Sequence, residues 1–132
     1  MRSADQNKQI IRDLMNAMSK SDVSSMLALF DDDAVWEVPG SSALSGQFSK
    51  DAFAAGSAHL FSAFPHGLRF DIVTMTAEDD RVAAEVVSQG AHVSGTLYKN
   101  HYHFLFVLHD EKITKAMEFM DTKHAMEVLY GG

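Results

Sequence analysis

Asn100-His101-Tyr102-His103-Phe104-Leu105-Phe106-Val107-Leu108-His109-Asp110-Glu111-Lys112-Ile113-Thr114-Lys115-Ala116-Met117-Glu118 reads as two antiparallel strands joined by a tight polar turn. Strand side chains alternate between faces. Lys99, His101, His103, Leu105 and Val107 therefore share one side, and Tyr98, Asn100, Tyr102, Phe104, Phe106 and Leu108 share the other. With Asp110-Glu111 as a two-residue turn, His109 faces Lys112. The pairs then run Val107 with Thr114, Leu105 with Ala116, His103 with Glu118, and His101 with Met120. Directly opposed residues have Cβ atoms about 4.5–5.5 Å apart, within reach of a carboxylate–imidazole hydrogen bond. Asp-Glu is not one of the favoured Asn-Gly or Asp-Gly turns, and a slip of one residue would flip a whole face.

Upstream, the chain is helical before it is extended. Ile10, Ile11, Leu14, Met15 and Met18 recur at helical spacing over 3–19, with Ser3 or Asp5 as cap. Ser21 or Asp22 caps a second helix carrying Val23, Met26, Leu27 and Phe30, which Asp31-Asp32-Asp33 ends as a solvated turn. Ala34 to Val38 is a short strand stopped by Pro39-Gly40. Ser41 to Phe48 reads as a small polar loop. Ser49 caps a third helix with Phe53, Leu60, Phe61 and Phe64 on one face, broken at Pro65-His66-Gly67.

Arg69 to Ala77 then alternates, with Phe70, Ile72 and Thr74 on one side. Glu78-Asp79-Asp80 turns it into a strand over 81–89, and Gly90 to Gly95 is a bulge or loop. After the hairpin, Asp121 or Thr122 caps a last helix carrying Met126 and Leu129. Helices first and strands after predict an α+β fold, with helices on one face of an antiparallel sheet. A cavity is expected between the concave sheet and the helices.

The chain has 132 residues and no cysteine. Its length fits a single domain over 1–132. The missing cysteines exclude disulfides, thiolate metal sites and a cysteine nucleophile. No apolar run approaches the roughly 18–20 residues of a membrane span, and the polar start lacks a signal-peptide core. A cytoplasmic protein without membrane contact is expected. The net charge of −7 and the dispersal of the 11 basic residues argue against nucleic acid as a partner.

Ala34-Val35-Trp36-Glu37-Val38-Pro39-Gly40, Ser45-Gly46, Asp110-Glu111-Lys112-Ile113 and Glu118-Phe119-Met120-Asp121-Thr122, in this order and spacing, resemble the nuclear-transport-factor-2-like fold. Within it the likeness is to the SnoaL-like and ketosteroid-isomerase-like group. The resemblance covers nearly the whole chain. It implies a cone of curved antiparallel sheet on three N-terminal helices, with a short C-terminal helix. It also implies a homodimer through the sheet's outer face.

Family functional residues carry over one at a time. The steroid isomerases' Asp base falls at Val38, their first-helix Tyr at Leu14, and their second acid at His103. The limonene epoxide hydrolases' Arg and Asp fall at Val86 and Ser88, and their second Asp at Glu118. The hairpin is most similar to the phenazine-biosynthesis A/B proteins, where the residue matching Glu118 is a catalytic acid assisted by a third-helix His. His59 lies about one turn from that place. Scytalone dehydratase, a more distant relative, uses two histidines and a carboxylate.

Glu118, flanked by Ala116, Met117, Phe119 and Met120, is expected to be buried, and burial raises a carboxylate's pKa toward the range of a general acid. His103 is the expected proton-sharing partner and His101 a substrate contact. Trp36, Val38, Leu14, Val86, Ser88 and Met120 are the expected substrate-binding wall. The expected function is acid–base lyase or isomerase chemistry on a small, largely apolar, cyclic compound. The alternatives are a non-catalytic binder of such a ligand, or a His101/His103/Glu118 metal site. No organic cofactor is implied, since there is no glycine-rich phosphate loop. The apolar side Tyr102, Phe104 and Phe106 is the expected dimer face. His66, His92, His109 and His124 are read as surface residues.

Overall fold

Glutamine and serine side chains start the first helix: Ser3 accepts from Gln6 N and Gln6 accepts from Ser3 N, a reciprocal capping box. The computed structural model describes residues 3–131; Met1, Arg2 and Gly132 lie outside it. The elements are α1 (Ala4–Ser19), α2 (Val23–Leu27), β1 (Phe30–Val38), β2 (Gly46–Ser49), α3 (Lys50–Ser62), β3 (Arg69–Glu78), β4 (Arg81–Ala91), β5 (Leu97–His109), β6 (Lys112–Phe119) and α4 (Thr122–Tyr130). The order anticipated from sequence holds, with four corrections. Phe30, expected on the second helix, opens β1. Gly46–Ser49, expected as loop, pairs with β1 as a strand. Asp31-Asp32-Asp33, expected as a turn, lies within β1. Gly90 and Ala91, expected in a loop, continue β4 opposite Tyr98 and Leu97.

Gly90 is a glycine for a steric reason. A Cβ there would stand 2.6 Å from the Gly67 carbonyl oxygen, so a side chain would force apart β4 and the connection into β3.

The strands form one six-stranded sheet in the order β2-β1-β6-β5-β4-β3. Every pair is antiparallel except β1 with β6, which is parallel. Bulges interrupt β3 between Ile72 and Thr74 and the β5–β6 pair between Val107 and Leu108. Each bulge bends its strand and resets which side chains face inward. In β3 this moves Thr74 onto the outer face opposite Glu85, against the alternation expected from Phe70 and Ile72.

The core lies between the inner sheet face and the helices. Ile11, Leu14, Met26, Phe104, Phe106 and Ile113 are fully buried in it. α1 packs on β3 and β4, α3 on β1 and β2, and α4 on β5. No described helix is long and apolar enough to cross a membrane.

Candidate active site

The two-residue turn at Asp110-Glu111 exists, with both residues at positive φ (48° and 69°) and His109 opposite Lys112. The register beyond it differs from the expected one. Thr114 bulges out, and its Oγ1 donates to the Val107 carbonyl at 3.2 Å. From there every pair is offset by one, so Phe104, not His103, faces Glu118. Lys115 is thereby placed outward and Ala116 inward.

One residue of slip exchanges the faces. Tyr98, Tyr102, Phe104 and Phe106 are buried inside the cone, so the last three are core and not the dimer face expected from their apolar character. His101 and His103 are exposed on the outer face. His101 Nε2 lies 2.7 Å from Glu85 Oε2 on that face. The expected His103–Glu118 pair does not form, because a sheet separates the two side chains. The same separation removes the His101/His103/Glu118 metal site, and no cluster of three ligating side chains occurs among the described residues.

Glu118 instead enters a cavity of about 330 Å³ between sheet and helices, at the small end of the range for small-molecule sites. Trp36, Val38 and Met120 line it as well. Leu14 and Val86, expected as wall residues, are fully buried behind the cavity in the core. Ser88 is buried too, and reaches the site through Tyr102.

Trp36 holds the carboxylate. Its indole N–H donates to Glu118 Oε1 at 3.0 Å. The indole is fixed by aromatic packing: Phe53 of α3 stacks on it with centroids 4.1 Å apart and planes 15° apart. Phe104 and Phe106 meet it edge-on at 5.9 and 6.2 Å. Such contacts restrict the ring beyond simple area burial. Removal from water pushes the Glu118 carboxyl up from 4.5 to about 7, with the Trp36 hydrogen bond acting weakly the other way. Desolvation dominates because no cation pairs with Glu118 among the described residues.

A hydrogen-bonded chain of buried polar groups reaches the same cavity through Tyr98 and Tyr102, which line it. Asn100 Oδ1 accepts from the backbone N–H of His101 at 2.7 Å and of Asp121 at 3.0 Å. Both donors are obligatory, which fixes the amide orientation. Asn100 Nδ2 then donates to Tyr98 Oη at 2.8 Å and to the Asp121 carbonyl at 3.1 Å. Tyr98 Oη lies 3.1 Å from Tyr102 Oη, which lies 3.0 Å from Ser88 Oγ. Burial raises both phenols above their usual value, Tyr102 strongly, with Glu118 adding to each. Both therefore remain protonated donors at neutral pH.

Sequence reasoning missed Tyr98, Tyr102 and Phe53 as wall residues and read His92 as a surface histidine; all four line the cavity, as does His59, which was placed about one turn from the family's helper position. The signal for the tyrosines was present, since the face carrying Tyr102, Phe104, Phe106 and Leu108 is the more apolar side of β5 and belongs inside.

The SnoaL-like domain family matches residues 11–116. No curated protein matches the sequence. A solved structure of a proposed isomerase from Bacillus subtilis superposes with a TM-score of 0.86 at 22% identity, over 100% of this chain and 98% of that one. AclR, a proposed hydroxylase from Streptomyces galilaeus, gives 0.83 at 17% identity, over 98% and 99%. An NTF2-like protein from Burkholderia xenovorans gives 0.74 at 24% identity, over 96% and 97%. At these identities the likeness is one of fold.

Proposed function

This chain belongs to the SnoaL-like domain family, and within that fold we propose that it is an acid–base isomerase or lyase for a small, largely apolar, cyclic compound. The observation that carries the reading is the Glu118 carboxyl, held by Trp36 in the cavity that Tyr98 and Tyr102 also line, where burial pushes it up to about 7. A group with that value is divided between acid and base near neutral pH, as a proton carrier needs.

In the proposed reaction, a substrate carbonyl oxygen accepts a hydrogen bond from the tyrosine pair. Glu118 removes a proton from the adjacent carbon, breaking that C–H bond, and negative charge gathers on the oxygen. The phenol donors, preorganised by Asn100 and Ser88, stabilise that charge. Glu118 then returns the proton to another carbon in an isomerisation. In an elimination it gives the proton to a departing hydroxyl, which leaves as water.

The AclR and Bacillus structures carry hydroxylase and isomerase descriptions, and the TerC structure was obtained with polyporic acid. Those descriptions support a small-molecule cavity chemistry here without naming the substrate. The chain is proposed to act as a single domain and as a homodimer. The dimer face would be the outer sheet face, where Leu105, Met117 and the 46% exposed Phe119 surround His103.

The test uses 2-tetralone, a bicyclic apolar ketone, in deuterated buffer, with α-hydrogen exchange followed by proton NMR. The wild-type chain is expected to accelerate exchange over buffer, and Glu118→Gln to abolish the acceleration. Equal exchange by both proteins would overturn the reading. A purely binding role, favoured by Glu118 being the one carboxylate lining the cavity among the described residues, predicts a ligand recovered unaltered and no exchange by either.

A further inference from the structure

His92 belongs to the short connection between β4 and β5, and it lines the cavity that holds Glu118. The connection is tightly built. His92 N donates to the Thr96 carbonyl at 2.9 Å, Gly95 N to the His92 carbonyl at 2.8 Å, and Val93 N to the Ala63 carbonyl at the end of α3 at 2.8 Å. The imidazole packs edge-on against the buried Phe64 ring, with centroids 5.5 Å apart.

The tautomer follows from the donors around the ring. Ser94 N–H donates to His92 Nδ1 at 3.1 Å, and Ser94 Oγ lies 2.9 Å from the same nitrogen. A backbone N–H only donates, so Nδ1 is an acceptor and the neutral ring carries its proton on Nε2. Ser94 Oγ meanwhile accepts from Thr96 N at 3.4 Å, which leaves its own O–H for Nδ1. The Nε2–H has no hydrogen-bond partner among the described residues. The ring is thus a fixed donor whose Nδ1 edge is committed to its own turn and whose Nε2 edge is unspent.

Its position is remote from the proposed reacting group. His92 follows the end of the β4–β5 pair where Ala91 meets Leu97, whereas Glu118 lies opposite Phe104. The His92 and Tyr98 rings pack on the same Phe64 ring, with centroids 5.5 and 5.8 Å from it, which places His92 at the Tyr98 end of the cavity.

We infer that His92 is a positioning residue that donates its Nε2–H to an acceptor oxygen at the end of the ligand remote from Glu118. The ligand class is thereby narrowed to apolar ring compounds with oxygen functions at both ends. Such a contact orients the ligand, so that the carbon to be deprotonated meets Glu118. The inference rests on the reading above for the cavity as the binding site. Its test reads binding alone, so it fails or survives separately from turnover.

The probes are 4-hydroxybiphenyl and 4,4′-dihydroxybiphenyl, which differ only in the second hydroxyl, titrated into the wild-type chain by calorimetry. The diol is expected to bind about five-fold tighter, the worth of one added neutral hydrogen bond. His92→Asn keeps an acceptor for Ser94 N–H where Nδ1 stood but removes the Nε2 donor. The ratio should fall to about one. His92→Gln, whose amide reaches the Nε2 position, should restore the preference.

In the wild-type chain, nitrogen-15 NMR of the His92 ring should give the Nε2–H tautomer and shift with the diol alone. That measurement stands even if neither variant folds. Equal affinities in the wild type, no binding of either probe, an unchanged ratio in His92→Asn, or a ring signal indifferent to the diol would each overturn the inference.

Discussion

The indole N–H of Trp36 donates to Glu118 across a sequence separation of 82 residues, at 3.0 Å, and this bond ties β1 to β6 inside the cavity. Among the described residues it is the one hydrogen bond to a carboxylate that burial has lifted to about 7.

That shift has a consequence for stability. The folded chain holds the Glu118 proton more tightly than an unfolded one, whose carboxyl titrates near its ordinary 4.5. Stability from this group is fully present below pH 4.5 and is lost as pH rises to about 7. At about 1.4 kcal/mol per unit, the loss is about 3 kcal/mol at most. Glu118→Gln keeps an acceptor for Trp36 and carries no charge. Urea unfolding should therefore find the variant and the wild type equal in acid and the variant more stable, by up to that amount, at pH 8. A difference independent of pH would contradict the burial of this carboxyl.

Tyr102 bridges Tyr98 and Ser88 by its single hydroxyl. Tyr102→Phe leaves a buried serine hydroxyl without that partner, a cost of about 1–3 kcal/mol. It should also slow 2-tetralone exchange by about a hundred-fold, the low end of the range for loss of one oxyanion donor. Unfolding and exchange measured on one preparation separate the two effects. Unchanged exchange would remove the tyrosines from the reaction.

His101 and His103 give the opposite expectation. Both project from the outer sheet face, away from Glu118. Alanine at either position should leave the pH dependence of exchange unaltered and its rate within about two-fold, as for surface sites. Phe119→Glu, on the same face, should convert a dimer to a monomer by light scattering. Loss of the pH profile in His103→Ala would restore the histidine to the chemistry.

The fold was legible because caps, breakers and strand patterns agreed from Ser3 to Asp121. The site was only partly legible, and the reason is one residue. Ile113 and Ala116 are both buried while Lys112 and Lys115 are both exposed. No regular strand puts residues three apart on one face, so the spacing of those two lysines carried the mark of the bulge at Thr114. Reading the strand as regular kept Glu118 as the key acid and gave it the wrong neighbours, His101 and His103 in place of Tyr98 and Tyr102. His92, read from local pattern as a surface histidine, lines the cavity instead, since its place depends on the turn that carries it.

The chain has one tryptophan, so its indole Nε1–H gives a single NMR signal. Followed from pH 5 to 9 on the intact chain, that signal reports the charge of the carboxylate it donates to. A midpoint at about 7, absent in Glu118→Gln, is the predicted result. A flat titration, or the same midpoint persisting in Glu118→Gln, would contradict the assignment of Glu118 as the proton-transferring group of this cavity.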